Sequence, residues 1–173
     1  WGLGMNGTTG SPLLQGFDYY YGYLDQKQAH NYYPTHLWEN DEPAQLNNDY
    51  FLVHSPIEKG SGQDAFDQFK GDDYAPDRML GKALHFLDTT TVKKPLFLYY
   101  PSPIPHVSIQ VPDSLLQQYE GQFEESPYYG NKGYTAHQTP RAAYAAMITH
   151  LDTEVGKIWD AVKARGQEDN TLI

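Results

Sequence analysis

From Ala75 onward the apolar residues alternate between helical and extended periods, and this alternation constrains the fold more than any other feature of the chain. Pro76 suits a first helical turn and Asp77 the positive end of the helix dipole. Met79, Leu80, Ala83, Leu84 and Leu87 then recur at three- and four-residue spacing, which predicts an amphipathic helix over 75–89. Leu96 to Tyr100 is apolar on both faces, as a buried parallel strand is. A proline-rich loop over 101–112 follows, then a short helix near 113–120 with Asp113 or Ser114 as its cap. Beyond a polar loop at 121–139, a long helix covers about 140–165, opened by Pro140 and ended by Gly166. Its stripe is Tyr144, Met147, Ile148, Leu151, Val155, Ile158, Trp159 and Val162. Asn170-Thr171-Leu172-Ile173 then starts a further strand. Helix, strand, helix, strand predicts an α/β fold: part of a layered sheet with flanking helices.

Residues 1–74 are dominated by turn signals such as Asn6-Gly7, Gly10-Ser11-Pro12 and Asn47-Asn48, so loops with a few short strands are expected, one near Tyr50–His54. The 173 residues fit a single domain, large enough for a real core. A net charge of −10 argues against nucleic acid or an anionic membrane surface as the main partner. No apolar run approaches the roughly 20 residues of a membrane span. With no cysteine, disulfides, thiolate metal sites and cysteine nucleophiles are excluded within these residues. The 15 tyrosines are explained first by packing at core edges with wet hydroxyls, and second by stacking on sugars or other rings.

Most of the chemistry suggested by the sequence centres on His106. It ends the run Pro101-Ser102-Pro103-Ile104-Pro105, in a loop leaving the carboxyl end of the expected strand, where ligands of open α/β sheets bind. Three prolines at alternate positions fix φ, so the loop loses little entropy in holding its histidine. A histidine so held can donate to an anionic oxygen or protonate a leaving group near neutral pH; the alternative is a surface histidine in a proline-rich connection. His85 and His150 lie on helices as packed or solvated side chains, and His30, His36, His54 and His137 lack metal-ligand spacing. Asp72-Asp73 and Glu124-Glu125 are expected as capping or solvated acids, and Asp152 as a structural hydrogen-bonding group within the long helix. Asn6-Gly7-Thr8 fits a glycosylation sequon.

Several stretches together resemble the type I sulfatases, the arylsulfatase group of the alkaline phosphatase-like superfamily. Trp1-Gly2-Leu3-Gly4 is similar to the end of that family's Gly-Lys-Trp-x-Leu-Gly motif, and Gly10-Ser11-Pro12 through Gly16-Phe17-Asp18 to Gly22-Tyr23 follows its next conserved stretch. Pro95 to Tyr100 with Pro105-His106 is similar to the strand and loop of the family's active-site histidine. Tyr144 to Gly156 resembles the helix before the last catalytic strand, and Asp169-Asn170-Thr171-Leu172-Ile173 the opening of that strand.

The resemblance implies hydrolysis of a sulfate ester, of an aryl compound or a sulfated carbohydrate, with His106 contacting the sulfate or leaving-group oxygen. It also implies a calcium ion and a formylglycine matured from cysteine or serine, neither of them held by these residues, and a periplasmic, secreted or lysosomal setting. Gly2 stands where some relatives carry a second histidine, and Ser108 where a proline often follows. The expectation is therefore the central part of one sulfatase catalytic domain over 1–173, cut at both ends and inactive alone, whose unpaired sheet edges could be covered in a homodimer. Two alternatives are a phosphate or phosphonate ester hydrolase of the same superfamily and a tyrosine-rich carbohydrate-binding module.

Overall fold

A computed structural model describes residues 2–173; Trp1, the first residue of the tryptophan motif, lies outside them. A three-stranded antiparallel sheet in the order β1-β2-β3 is formed by β1 (Tyr21–Gly22), β2 (His36–Glu39) and β3 (Glu42–Gln45). Asn40 turns the β2–β3 hairpin with φ 55°, a left-handed conformation that asparagine tolerates, and its amide Oδ1 accepts the Tyr20 N–H at 3.0 Å. Pro43 sits in β3, at the sheet edge, where a missing N–H is tolerated. The helices that follow are α1 (Gln63–Asp67), α2 (Ala75–Thr89), α3 (Asp113–Leu116) and α4 (Pro140–Ala164).

α2 begins and ends where its periodicity predicts and buries Leu80, Ala83 and Leu87. α4 packs across α2 and α3. Its buried face is Ala142, Ala143, Ala146, Met147, His150 and Glu154, so Met147 and Val162 of the expected stripe face inward while Tyr144, Ile148 and Val155 are exposed. Small residues win this face because the alanines let α2 and the proline-rich loop approach closely. Asp152 is exposed, and the buried acid of this helix is Glu154, two residues on.

The main core joins Tyr32, Tyr33 and Tyr74 to Ile104, Val111, Ala143, Ala146 and Met147. The hydroxyls of Tyr32 and Tyr74 find carbonyl partners as packing requires, that of Tyr74 donating to the Gln110 carbonyl at 2.9 Å. Core packing thus accounts for several tyrosines.

Leu96–Tyr100 forms no ladder, and its burial alternates: Phe97 is 77% exposed and Tyr99 56%, while Leu96, Leu98 and Tyr100 are partly covered. A strand exists only with a hydrogen-bonding neighbour, and among the described residues no segment pairs with this one. Residues 171–173 likewise form no ladder and are exposed, and the strand expected near Tyr50–His54 is a turn. The helix expected at 113–120 shortens to α3, whose cap position is Pro112; Asp113 does not cap but pairs with Lys70 at 2.8 Å.

Candidate functional site

His106 is exposed at the end of a loop that buried side chains hold in place. Ile104 is 2% exposed and anchors the loop in the core. The hydroxyl of fully buried Tyr32 lies 2.9 Å from the Pro103 carbonyl and 2.8 Å from that of His106, with one proton to share between them. Tyr32 is fixed in turn by its N–H, which donates to Gln110 Oε1 at 2.9 Å, while Gln110 Nε2 donates to the Phe69 carbonyl at 2.7 Å. His106 Nδ1 faces the Val107 carbonyl.

Three other segments meet this loop. His30 closes a 3-10 turn over Gln28–His30, started by Asp25, whose Oδ1 accepts the N–H groups of Lys27 at 2.6 Å and Gln28 at 3.3 Å. His54 lies in the turn between Leu52 and Ser55. That turn abuts Gly130, where a Cβ would come within 3.0 Å of Pro56 Cα and the Ser55 carbonyl oxygen. Tyr134 takes a positive φ of 69°, uncommon for a residue with a side chain. The neighbouring Thr135 N–H donates to Ser108 Oγ at 3.1 Å, tying the Tyr134 loop to the His106 loop. Ser108 therefore supplies an acceptor that a proline at that position would lack.

The result is a cluster of three imidazoles and a phenol. His30 Nδ1 is 3.2 Å from His54 Nε2, and the His30 ring stacks on that of His106 at 5.5 Å between centroids and 8° between planes. The Tyr134 ring meets all three, at 5.0 Å from His30, 5.7 Å from His54 and 6.2 Å from His106. Burial pushes the His30 ring below the ordinary histidine range, the neighbouring His54 and His106 push it further, and Asp25 opposes them. Neutral imidazoles offer both a donor and an acceptor, so the cluster can bind a polar oxygen, and once protonated it can bind an anion.

The sequence placed only His106 here. His30 and His54, set aside for lack of spacing, belong to the same cluster, and Tyr134 carried no motif. The turn residues around them, Asp25 and Gly133, are the faint signal available. His85 is exposed on α2, and the His36 carbonyl accepts from Gln28 Nε2 at 2.7 Å. His137 pairs with Tyr128 in an isolated bridge and borders a cleft of about 350 Å³ with Lys70 and Asp113. Its Nδ1 accepts the Thr139 N–H at 3.1 Å, and burial, with Lys70 adding, lowers its pKa to about 4. The acids are structural. Asp73 accepts the Asn47 N–H at 2.8 Å and pairs with Arg78 at 2.6 Å, and Glu125 caps α4 by accepting the N–H groups of Arg141 and Ala142 at 3.1 and 2.7 Å.

Behind the loop, Glu154 is fully buried and accepts a hydrogen bond from Ser102 Oγ at 2.9 Å. His150 Nε2 lies 2.9 Å from Asp77 Oδ1 and 3.8 Å from Glu154 Oε1. Burial pushes the Glu154 carboxyl up, against the Ser102 hydrogen bond and the nearby His150. This network ties the start of the His106 loop to α2 and α4. Among the described residues no group of three or more histidines or acids is arranged to hold a metal ion.

One solved structure that the chain resembles is that of Ps i-CgsB in complex with k-i-k-neocarrahexaose. The match has a TM-score of 0.65 and 23% sequence identity, and covers 94% of this chain and 32% of that one. The chain thus spans about a third of that protein's length, and at this identity the likeness speaks for the fold. The architecture is a mixed α/β portion of an alkaline phosphatase-like fold. The sulfatase family model matches residues 1–173. Its match from end to end makes this chain a member of the sulfatase family.

Proposed function

We propose that the chain is part of one sulfatase catalytic domain that hydrolyses sulfate esters, and that His106 contacts the sulfate or the leaving-group oxygen. The observation that carries this is the exposed His106 ring, braced from beneath by Tyr32 and flanked by His30, His54 and Tyr134. A ring held by its backbone loses little freedom on meeting a substrate oxygen. Its proton can neutralise charge that develops on the departing oxygen. The resemblance implies a calcium ion and a formylglycine, and among the described residues no group of three or more histidines or acids is placed to hold a metal ion. The 173 residues alone are expected to release no sulfate, and sulfate release from an aryl sulfate by this chain would refute that expectation.

Aryl sulfates and sulfated carbohydrates are both candidate substrates; the carbohydrate class has the support of the neocarrahexaose in complex with the matched protein. The test is made in the complete enzyme on paired sulfate and phosphate esters. His106→Ala is expected to lower kcat/KM on the sulfate ester by about 10²–10⁴-fold, the usual range for a general acid, with an unchanged melting temperature. Wild-type activity on the phosphate ester alone would favour the related phosphate hydrolases. Undiminished turnover in the variant would remove His106 from the site.

A further inference from the structure

His30 and His54 face each other through single nitrogens, Nδ1 and Nε2, 3.2 Å apart, and only one proton fits between them. In the neutral pair, whichever ring donates that proton, one of the two outward nitrogens carries a proton and the other is bare. One added proton makes both outward nitrogens donors. A second would have to break the bridge. The pair is thus built to accept one proton and, on accepting it, to present two charge-assisted donors, one of them on the ring that stacks on His106.

The geometry points to a proton-linked oxyanion site: we propose that sulfate binds at His106 together with one proton taken from solvent by the His30–His54 pair. This rests on the reading of His106 as the sulfate-contacting residue and adds to it a pH dependence. The parallel stack of His30 on His106, 5.5 Å between centroids, brings two positive charges together if both rings are protonated. An anion beside them removes that repulsion. The groups acting on His30 are His54 and His106, which oppose its charge, and Asp25, which favours it; Tyr134 meets it as a neutral ring edge. Burial, then the two neighbouring histidines, hold the His30 ring below the ordinary histidine range, so its proton is taken up together with the anion. Sulfate affinity therefore rises as pH falls, by about tenfold per pH unit for one linked proton, and levels off once the free pair is protonated. No bond of the sulfate changes in this step.

The experiment follows the histidine ring signals of the 173-residue chain by NMR between pH 5 and 8, with inorganic sulfate and with sodium chloride at matched ionic strength. Saturating sulfate is expected to raise the titration midpoints of His30 and His54 by about one unit or more, a tenfold linkage. His54→Asn, at an exposed position, is expected to weaken sulfate binding by about tenfold at pH 5.5, with little change at pH 8, and to move the free His30 midpoint up toward the ordinary value of about 6.5. If sulfate moves His106 alone, the inference fails and the His106 reading stands. If sulfate moves none of the three rings, both fail.

Discussion

His137 and His106 are imidazoles on neighbouring loops with opposite surroundings. His137 is half-buried with a pKa of about 4, below the 6.5 of an unfolded histidine. A depressed histidine contributes stability that is fully present above the unfolded value and is lost as pH falls from about 6.5 toward 4, at most tenfold in the folding constant per pH unit. His137→Asn keeps an acceptor for the Thr139 N–H and removes the titration. Urea unfolding at pH 7.0 and 4.5 should show the wild type losing more stability than this variant; equal losses would mean that His137 does not titrate as its burial implies. His106 was legible because the prolines that position it are its sequence neighbours. His30 and His54 were not, since the 3.2 Å contact between them joins residues distant in the chain.

At the scale of elements, α2 was legible at both ends because Pro76, the periodic leucines and the loss of period after Thr89 are local signals. The extent of α4 was also legible, but not the face it buries. Its apolar residues wrap more than half its girth, so tertiary neighbours chose between Met147 and Ile148. Met147→Ala should cost about 2–5 kcal/mol, the range for emptying a packed core site. Ile148→Ala should cost no more than about 0.5 kcal/mol, as a surface change does. Chemical denaturation of both variants checks the orientation, and a larger loss at Ile148 would reverse it. The few short strands expected within 1–74 exist, but their places were not legible, because they are short and Pro43 and the polar residues of β3 argue against a strand wherever the edge position is unknown. Leu96–Tyr100 misled for the opposite reason, since apolar content predicts a strand but a ladder needs a partner.

Across the whole molecule, the histidine cluster is held by close approaches between loops. One lies at Gly130, with φ 78° and a Cβ position only 3.0 Å from Pro56 Cα and the Ser55 carbonyl oxygen. Gly130→Ala should cost about 1–2 kcal/mol from the left-handed backbone alone and push the 54–56 turn away from Tyr134. Thermal unfolding reads the first effect, and the His30 and His54 ring signals the second. Unchanged ring signals in a destabilised variant would show that the cluster does not depend on this contact. The sequence by itself determined the long helices, the braced position of His106 and membership of the sulfatase family, because periodicity, proline geometry and motif order are written in neighbouring residues. Only the tertiary structure decided which face of α4 is buried, that Glu154 rather than Asp152 is the enclosed acid, and that His30, His54 and Tyr134 gather at His106. Those outcomes depend on contacts between distant segments, which local spacing does not encode.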